Sequence, residues 1–276
     1  IYGALIAGEP HTGAFLAGRS GPVEGAGGAE APLPGLGLVS RAALLLGGKP
    51  TVVVRADDYR LATLQTVGGN GPAWVLRQVW LGQEEQQLGS SAALVEYRSE
   101  LALLYSSRIG SEWKLRCARG PLVNGWAPWA VQVVSHGAGF YDANTIAVVA
   151  DRLVVATANG WSPAGDRSSE LRIGPVARWP ADPSDWELAE APGSILAPFA
   201  VRGDTLYLPC TAVGNYRPTL VVHRYRFRPG VQGPETGMAP LLPEANEAAV
   251  LPYRDRVGAA SIDGDGTLRW SLSDSW

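Results

Sequence analysis

Apolar segments separated by short polar tips recur along the whole chain. In five places an apolar run leads into an arginine-centred tip and a second apolar run leaves it, at Arg41, Arg98, Arg152, Arg202 and Arg254. These arginines follow one another at intervals of 50–57 residues, and each copy is followed by a further strand-like run. The pattern predicts a series of similar units, each of which begins with an antiparallel hairpin.

A fourth short run completes most of the units. Three of these runs begin at a tryptophan, at Trp74, Trp129 and Trp186. Repeated four-stranded units of roughly 40–50 residues are typical of a β-propeller. We therefore predict an all-β fold, a single β-propeller domain over residues 1–276 with four antiparallel strands in each blade. The repeat predicts five blades, or six if the N-terminal hairpin is a unit of its own, and a β-sandwich is the competing architecture.

The N-terminal region has a repeat of its own. The segments at 3–8 and 13–18 read GALIAG and GAFLAG, which predicts a hairpin within residues 1–20 that closes or flanks the ring. Residues 21–37 are rich in Gly, Ala and Pro, and are predicted to be a surface connection. The chain begins at Ile1 and its one methionine is Met238. It is therefore expected to be part of a longer polypeptide.

The charge and composition of the chain argue against two functional classes, nucleic-acid binding and membrane insertion. A net charge of −3 argues against a general nucleic-acid binder, which would present a basic face. No apolar run reaches the eighteen or so residues of a membrane-spanning helix, so membrane insertion is not expected. Cys117 and Cys210 fall in different units at different strand positions, which predicts two buried free thiols.

Two turns carry a resemblance to a known family. Residues 106–113 read SSRIGSEW, which resembles the Asp-box Ser-x-Asp-x-Gly-x-Thr-Trp of sialidase-like propellers, with Arg108 in place of Asp and Glu112 in place of Thr. Residues 261–267, followed by Trp270, resemble the same box with a longer spacing. The resemblance implies a propeller fold in which the box is a structural hairpin away from the active site.

The resemblance does not extend to the catalytic machinery of sialidases. That family also implies an arginine cluster for the substrate carboxylate, a Tyr-Glu nucleophile pair and an Asp acid. Here five arginines occupy the repeated tips, and the Phe/Tyr-Arg-Ile-Pro segment that opens many family members is absent. Residues 251–254 have similar letters in another order, LPYR. We predict no catalytic residues.

Other groups of polar residues could have a chemical role or could simply belong to loops and turns. Carboxylates occur at Asp57 with Asp58, at Asp166, and at Asp182 with Asp185. A carboxylate pair about 5–10 Å apart could support glycoside hydrolysis, but the segment at 182–186 also reads as a loop that leads into a strand. Residues 263–266 suit either a calcium loop or a plain turn. The three histidines, His11, His136 and His223, lack ligand spacing, so no metal or cofactor is predicted.

Aromatic residues in loops are the candidate binding residues. Residues 124–128 and 159–163 are near copies, NGWAP and NGWSP. In each copy the tryptophan, Trp126 or Trp161, follows Gly and precedes a small residue and Pro. Such an indole could stack on a sugar ring or anchor a protein interface, or it could cap the apolar edge of its own blade. Trp129 and Tyr216 complete the set of candidates.

These observations predict a non-catalytic recognition or assembly module. It would belong to a larger extracellular, cell-surface or virion-tail protein and bind a glycan or a protein partner through its loops. The alternative is a sialidase-like glycoside hydrolase that acts at the propeller axis, and a third possibility is a structural spacer.

Overall fold

We analysed a computed structural model of the chain. The structure describes residues 15–16, 22–24, 30–32, 39–46, 49–55, 61–67, 73–78, 87–121, 129–136, 140–160, 169–190, 194–195, 199–211, 220–229, 231, 233–242, 247–253, 256–262 and 265–273. Within these ranges the chain is almost entirely β-strand, with one 3-10 turn at Pro183–Asp185 and no α-helix. The same ranges contain no helix long and apolar enough to cross a membrane. The all-β prediction is confirmed.

The chain forms two compact units, Ile1–His136 and Gly137–Trp276. The described residues of the first unit form three antiparallel sheets, each made of strands that are consecutive in the sequence. Sheet 1 contains β1 (Phe15–Leu16), β2 (Pro22–Glu24) and β3 (Glu30–Pro32); sheet 2 contains β4 (Val39–Leu46), β5 (Lys49–Arg55), β6 (Leu61–Val67) and β7 (Ala73–Gln78); sheet 3 contains β8 (Gln87–Tyr97), β9 (Glu100–Ile109), β10 (Glu112–Pro121) and β11 (Ala130–His136).

The second unit holds three further antiparallel sheets. Sheet 4 contains β12 (Phe140–Val149), β13 (Arg152–Gly160), β14 (Ser169–Ile173) and β15 (Glu187–Glu190); sheet 5 contains β16 (Ser194–Ile195), β17 (Ala200–Arg202), β18 (Thr205–Thr211), β19 (Leu220–Arg226) and β20 (Glu235–Leu242); sheet 6 contains β21 (Glu247–Tyr253), β22 (Arg256–Ile262) and β23 (Leu268–Ser273). In sheet 5, β16 and β17 both pair with β18, as two pieces of one interrupted outer strand. Sheets 2 to 5 are therefore meanders of four strand positions.

In each sheet from 2 to 6, the register of the first two strands leaves two residues at the turn between them. The last paired residues before these turns are Leu46, Tyr97, Val149, Arg202 and Tyr253, so the turns recur every 51–53 residues. In three of the turns a residue has a positive φ, as at Ser99 (59°), Asp151 (55°) and Gly203 (59°). Two-residue turns with positive φ match the right-handed twist of the flanking strands. The feature that repeats at a regular spacing is therefore the turn of the first hairpin in each sheet.

The predicted arginine tips agree with these turns only in part. Arg98 lies in its turn, Arg152 and Arg202 flank theirs, and Arg254 lies outside the described residues. The prediction for Arg41 is wrong, because Arg41 lies inside β4 at a register shift between Ser40 and Ala42. Two glycines at 47–48 connect β4 to β5 instead.

The N-terminal prediction also needs correction. Residues 21–37 were expected to be a connection, but β2 and β3 lie within them and form sheet 1 together with β1. Short strands of two or three residues leave too few alternating positions for the pattern to be visible in the sequence. Residues 1–14 of the predicted hairpin lie outside the described residues.

The core lies along the inner strands of each unit. In sheet 3 every residue from Leu101 to Ser107 on β9 is buried, on both faces of the strand. In the second unit, one buried cluster joins Val154 and Leu171 of sheet 4 to Leu208 and Phe227 of the next sheet. The first strands of successive sheets also contact one another, β4 with β8 in the first unit and β17 with β21 in the second.

The two Asp-box-like segments occupy equivalent places. The turn at Gly110–Ser111 connects β9 to β10, and residues 263–267 connect β22 to β23. Both segments therefore lie between the second and third strands of a sheet. Gly110 and Gly266 have positive φ values of 63° and 78°, which explains glycine at these positions.

Candidate binding pocket at one end of sheets 4 and 5

A pocket of about 510 Å³ opens in the second unit. It is formed by the start of β13, by residues 173–187 between β14 and β15, and by Val231 of the connection between β19 and β20. Within sheet 4, the β12–β13 turn and the β14–β15 connection lie at the same end, because the strands alternate in direction. The pocket therefore uses turns from one end of two neighbouring sheets.

Backbone hydrogen bonds fasten the β14–β15 connection onto the first turn of its sheet. The Gly174 N–H donates to the Leu153 carbonyl at 2.8 Å, and the Ala177 N–H donates to the Asp151 carbonyl at 2.8 Å. A Cβ at Gly174 would lie 3.1 Å from the Leu153 oxygen and 3.3 Å from Cγ of Pro180. Glycine thus permits the close approach that shapes one wall of the pocket.

The 3-10 turn positions the acidic side of the pocket. Asp182 is the N-cap, its side chain accepts a hydrogen bond from the Ser184 N–H at 2.9 Å, and Pro183 occupies the first position of the turn. The Ser184 hydroxyl donates to the same Asp182 oxygen. An Asp cap followed by Pro is a favoured start for a helical turn, so this local sequence fixes where Asp185 lies.

Asp185 is held in an ion pair with Arg178. The guanidinium donates two hydrogen bonds to the carboxylate, at 3.0 and 2.6 Å, and the Ala181 N–H donates a third at 2.6 Å. The bonds from Arg178 first, and the one from Ala181 next, lower the pKa of Asp185 to about 2. The same pairing raises the pKa of Arg178. Asp185 is therefore an ionised structural acceptor at neutral pH.

Arg152 forms the floor of the pocket. It is only 3% exposed, and its Cζ lies 5.4 Å from the centroid of the buried Phe227 ring. Its Nε and Nη2 atoms are buried and have no hydrogen-bond partner. Phe227 is itself anchored, because its N–H donates to the Asp204 carbonyl at 2.8 Å. A buried guanidinium with two unpaired nitrogens is unusual, since such groups are normally satisfied.

The rim of the pocket is mixed in character. Val176 and Val231 line it and are 46% and 48% exposed, while Glu187 supplies an exposed carboxylate. The pocket is lined by two cationic side chains, Arg152 and Arg178, and by two carboxylates, Asp185 and Glu187. Asp185 forms an ion pair with Arg178. The rim is therefore partly apolar and partly charged, above the buried guanidinium of Arg152.

The structure describes one of the four predicted binding residues. Trp129 is half-buried and precedes β11, and its indole lies against Gly120. Trp126, Trp161 and Tyr216 lie outside the described residues. Trp129 belongs to the first compact unit, whereas the pocket lies in the second.

Some of the predicted carboxylates and histidines are among the described residues, and others are not. Asp185 lines the pocket and Asp182 caps the 3-10 turn that holds it, whereas Asp57, Asp58, Asp166 and Asp263 lie outside the described residues. His223 is half-buried on β19, and burial lowers its pKa. Among the residues that the structure describes, no group of three or more His, Cys, Asp or Glu side chains could hold a metal ion.

Sequence reasoning missed Arg152 as a pocket residue and treated it as part of a repeated tip. Its neighbours did contain an indication, because Arg152 lies between the apolar runs at 146–149 and 153–156 with only a two-residue turn before it. A charged residue that begins a buried strand suggests a special environment. The partner surface at Phe227 and Val231, however, comes from the next sheet.

No family model matches the chain, and no curated protein matches it either. Among solved structures, the chain is similar to the phage phi92 endosialidase, with a TM-score of 0.56, 8% identity, and coverage of 91% of this chain and 57% of that one. It is also similar to YjhT, with a TM-score of 0.50, 15% identity, and coverage of 88% and 80%. The chain thus spans little more than half the length of the endosialidase. Both neighbours are β-propellers, so the likeness supports the predicted fold class.

Proposed function

We propose that this chain is a non-catalytic recognition module that binds a glycan through the segments connecting its strands. The observation that carries the proposal is the pocket above Arg152, a concave site whose rim has both apolar and charged side chains and whose floor is a buried polar group. Ligand sites commonly combine these features. The fold likeness to an endosialidase supports a carbohydrate ligand over other classes, although fold alone does not determine function.

Asp185 does not fit the role of the acid that hydrolysis in this pocket would need. Glycoside hydrolysis needs a carboxylic acid whose pKa is raised so that it holds a proton near neutral pH. The pKa of Asp185 is instead lowered to about 2 by Arg178 and the Ala181 N–H. Asp185 therefore has no proton to donate, and its oxygens are occupied by three hydrogen bonds.

The six sheets favour the six-blade alternative over five blades, since residues 15–32 form a sheet of their own. We propose one propeller domain within a larger extracellular, cell-surface or virion-tail protein.

The candidate contacts for a glycan or a protein partner are Trp126, Trp129, Trp161 and Tyr216. The alternative function is a sialidase-like hydrolase that acts at the propeller axis, and it is supported by the endosialidase neighbour.

A panel of neutral and acidic oligosaccharides tests the proposal. The purified chain is expected to bind at least one class in biolayer interferometry and to release no shorter product by mass spectrometry. Replacing Trp126 or Trp161 by Ala should weaken binding tenfold to hundredfold, about 1–3 kcal/mol, without lowering the melting temperature. Trp270→Ala is the matched control, because Trp270 is a 68% exposed indole on β23 in another sheet.

Two results would reject the proposal. Cleavage of an oligosaccharide would favour the hydrolase alternative. Absence of binding to every saccharide, together with capture of a defined protein partner, would favour an assembly module. Unfolding of both tryptophan variants would show that the indoles support their own sheets and would remove them from the binding surface.

A further inference from the structure

We propose that the chain associates with a second copy of itself through the face of sheet 6 that points away from sheet 5. Val257 and Ala259 of β22 are buried in a cluster with Tyr207 and Val222 of sheet 5. Side chains alternate between the two faces of a strand, so the intervening positions form the opposite face. This outer face is formed, on β22 and β23, by Gly258, Ala260, Ile262, Leu268, Trp270 and Leu272.

The outer face exposes a run of large apolar side chains. On β23, Leu268, Trp270 and Leu272 are 65%, 68% and 37% exposed, and Ile262 of β22 is 38% exposed. Ile262 is the cross-strand partner of Leu268, so the four side chains lie on one face and next to one another. Contiguous apolar surface of this kind marks an interaction site, whereas single exposed apolar residues are common on any protein.

The outer face has a ridge beside a hollow. The three large side chains of β23 form the ridge, whereas the β22 residues paired with Trp270 and Leu272 are Ala260 and Gly258, which form the hollow. Both hollow residues are partly exposed. A two-fold axis that runs along the strands, between β22 and β23, would place the ridge of each copy over the hollow of the other. A two-fold interface requires a surface that is complementary to itself, and this requirement favours a second copy over an unrelated partner.

The charges lie at the ends of the outer face and not at its centre. Arg256 begins β22, and Asp265 lies in the connection to β23; both are exposed. Association therefore desolvates an uncharged centre and leaves the charged rim in water, which is the usual composition of a protein interface. A net charge of −3 for each copy opposes association only weakly at physiological ionic strength.

The size of the outer face fits a reversible dimer. Its four large side chains expose on the order of 400 Å² in each copy, since an indole alone accounts for up to about 250 Å². Two copies packed with their sheets about 10 Å apart would bury about twice that area, and the hollow and the rim add to it. The total lies near the lower limit of about 1,000 Å² for a specific interface. We therefore expect a dissociation constant between about 1 µM and about 1 mM.

Sedimentation equilibrium tests the proposal with the whole chain. The mass should rise from that of one chain towards twice that value as the concentration increases, and the melting temperature should rise with it. Trp270→Ala removes the centre of the ridge and should weaken association at least tenfold. Met238→Ala is the matched control, because Met238 has the same 68% exposure on β20 of sheet 5, and it should change association less than twofold.

A substitution in the hollow distinguishes packing of the faces from pairing of strand edges. Ala260→Gln fills the hollow and should weaken association at least tenfold, whereas pairing along the edge of β23 would not depend on a side chain of β22. Trp270→Ala stays a valid control for saccharide binding when the chain is kept below about 1 µM, because each copy is then a monomer. The melting temperature at that concentration shows whether each variant is folded.

Three outcomes would overturn the proposal. A chain that stays monomeric up to about 1 mM would leave the outer face to a partner of another sequence. Equal effects of Trp270→Ala and Met238→Ala would place the dimer contact elsewhere. A dimer that Trp270→Ala weakens but Ala260→Gln leaves intact would indicate edge pairing of β23 and reject packing of the two faces.

Discussion

The indole of Trp129 lies directly against the backbone of Gly120. A Cβ atom at Gly120 would lie 2.2 Å from Cε2 and 2.3 Å from Cδ2 of the indole. Gly120 is buried near the end of β10, and Trp129 immediately precedes β11. The absence of a side chain at Gly120 therefore creates the surface on which Trp129 packs, and this contact fixes how β11 joins sheet 3.

We expect Gly120→Ala to destabilise the chain by about 1–3 kcal/mol, because the added methyl group must displace the indole. Chemical denaturation measures the free energy of unfolding. Gly237→Ala is the matched control, since its Cβ would meet mainly the guanidinium of Arg224, at 3.2 Å from Nη2. A flexible side-chain end moves away easily, so the control should change stability much less. Equal effects of the two variants would contradict the packing argument.

The ion pair between Arg178 and Asp185 makes a pH-dependent prediction. The pKa of Asp185 falls from an ordinary value near 3.8 to about 2 in the folded chain. A lowered carboxyl pKa stabilises the fold above the unfolded pKa, and this contribution is lost as the pH falls through the folded value. Asp185→Asn should therefore lower the melting temperature at pH 7, and the difference should shrink between about pH 4 and pH 2.

Glu235→Gln is the control for this ion pair. Glu235 pairs with Arg228 at 2.7 Å, but both side chains are more than half exposed. Exposed ion pairs contribute little, so the control should have a small effect at every pH. An Asp185→Asn effect that persists unchanged at pH 2 would show that shape, and not charge, is responsible.

The sequence predicted the strands better than the positions of their turns. Apolar runs around a polar tip identified the hairpin at Arg98, because a polar residue in a turn contacts water. The same pattern failed at Arg41, where a strand contains a polar residue at a register shift and the turn comes later at 47–48. Paired glycines are the stronger indication of a turn, and they were available in the sequence.

The pocket could be predicted only in fragments. The order Asp182, Pro183, Ser184, Asp185 is a local capping pattern, and the structure contains the corresponding 3-10 turn. The burial of Arg152 depends on Phe227, which directly follows β19 of the next sheet and is distant in sequence. A contact between sheets depends on their packing, and local periodicity carries no information about it.

The two cysteines should be unreactive in the folded chain. Cys117 and Cys210 are free and buried, and burial raises the pKa of each thiol to about 12. The thiolate is the reactive form, so a disulfide-exchange reagent at pH 8 should label neither residue rapidly. Two thiols should react after denaturation, and the intact mass under non-reducing conditions should show no loss of two hydrogens. Rapid labelling of the native chain would contradict the burial of these thiols.

The first turn of sheet 3 allows a stabilising substitution. Ser99 has a φ of 59°, and it lies exposed in the two-residue turn between β8 and β9. A residue with a Cβ is strained in this conformation, whereas glycine adopts it readily. Ser99→Gly removes that strain but gives the unfolded chain more conformational entropy. We expect the relief of strain to be the larger effect, with a net stabilisation of up to about 1 kcal/mol.

Ser111→Gly is the matched control for this prediction. Ser111 is also an exposed turn residue of sheet 3, but the positive φ in its turn belongs to Gly110. Glycine at position 111 therefore relieves no strain and only increases the entropy of the unfolded chain, which should cost about 0.4–1 kcal/mol. Chemical denaturation of the two variants should thus give changes of opposite sign. If both substitutions destabilise the chain equally, the left-handed conformation of Ser99 is not a source of strain.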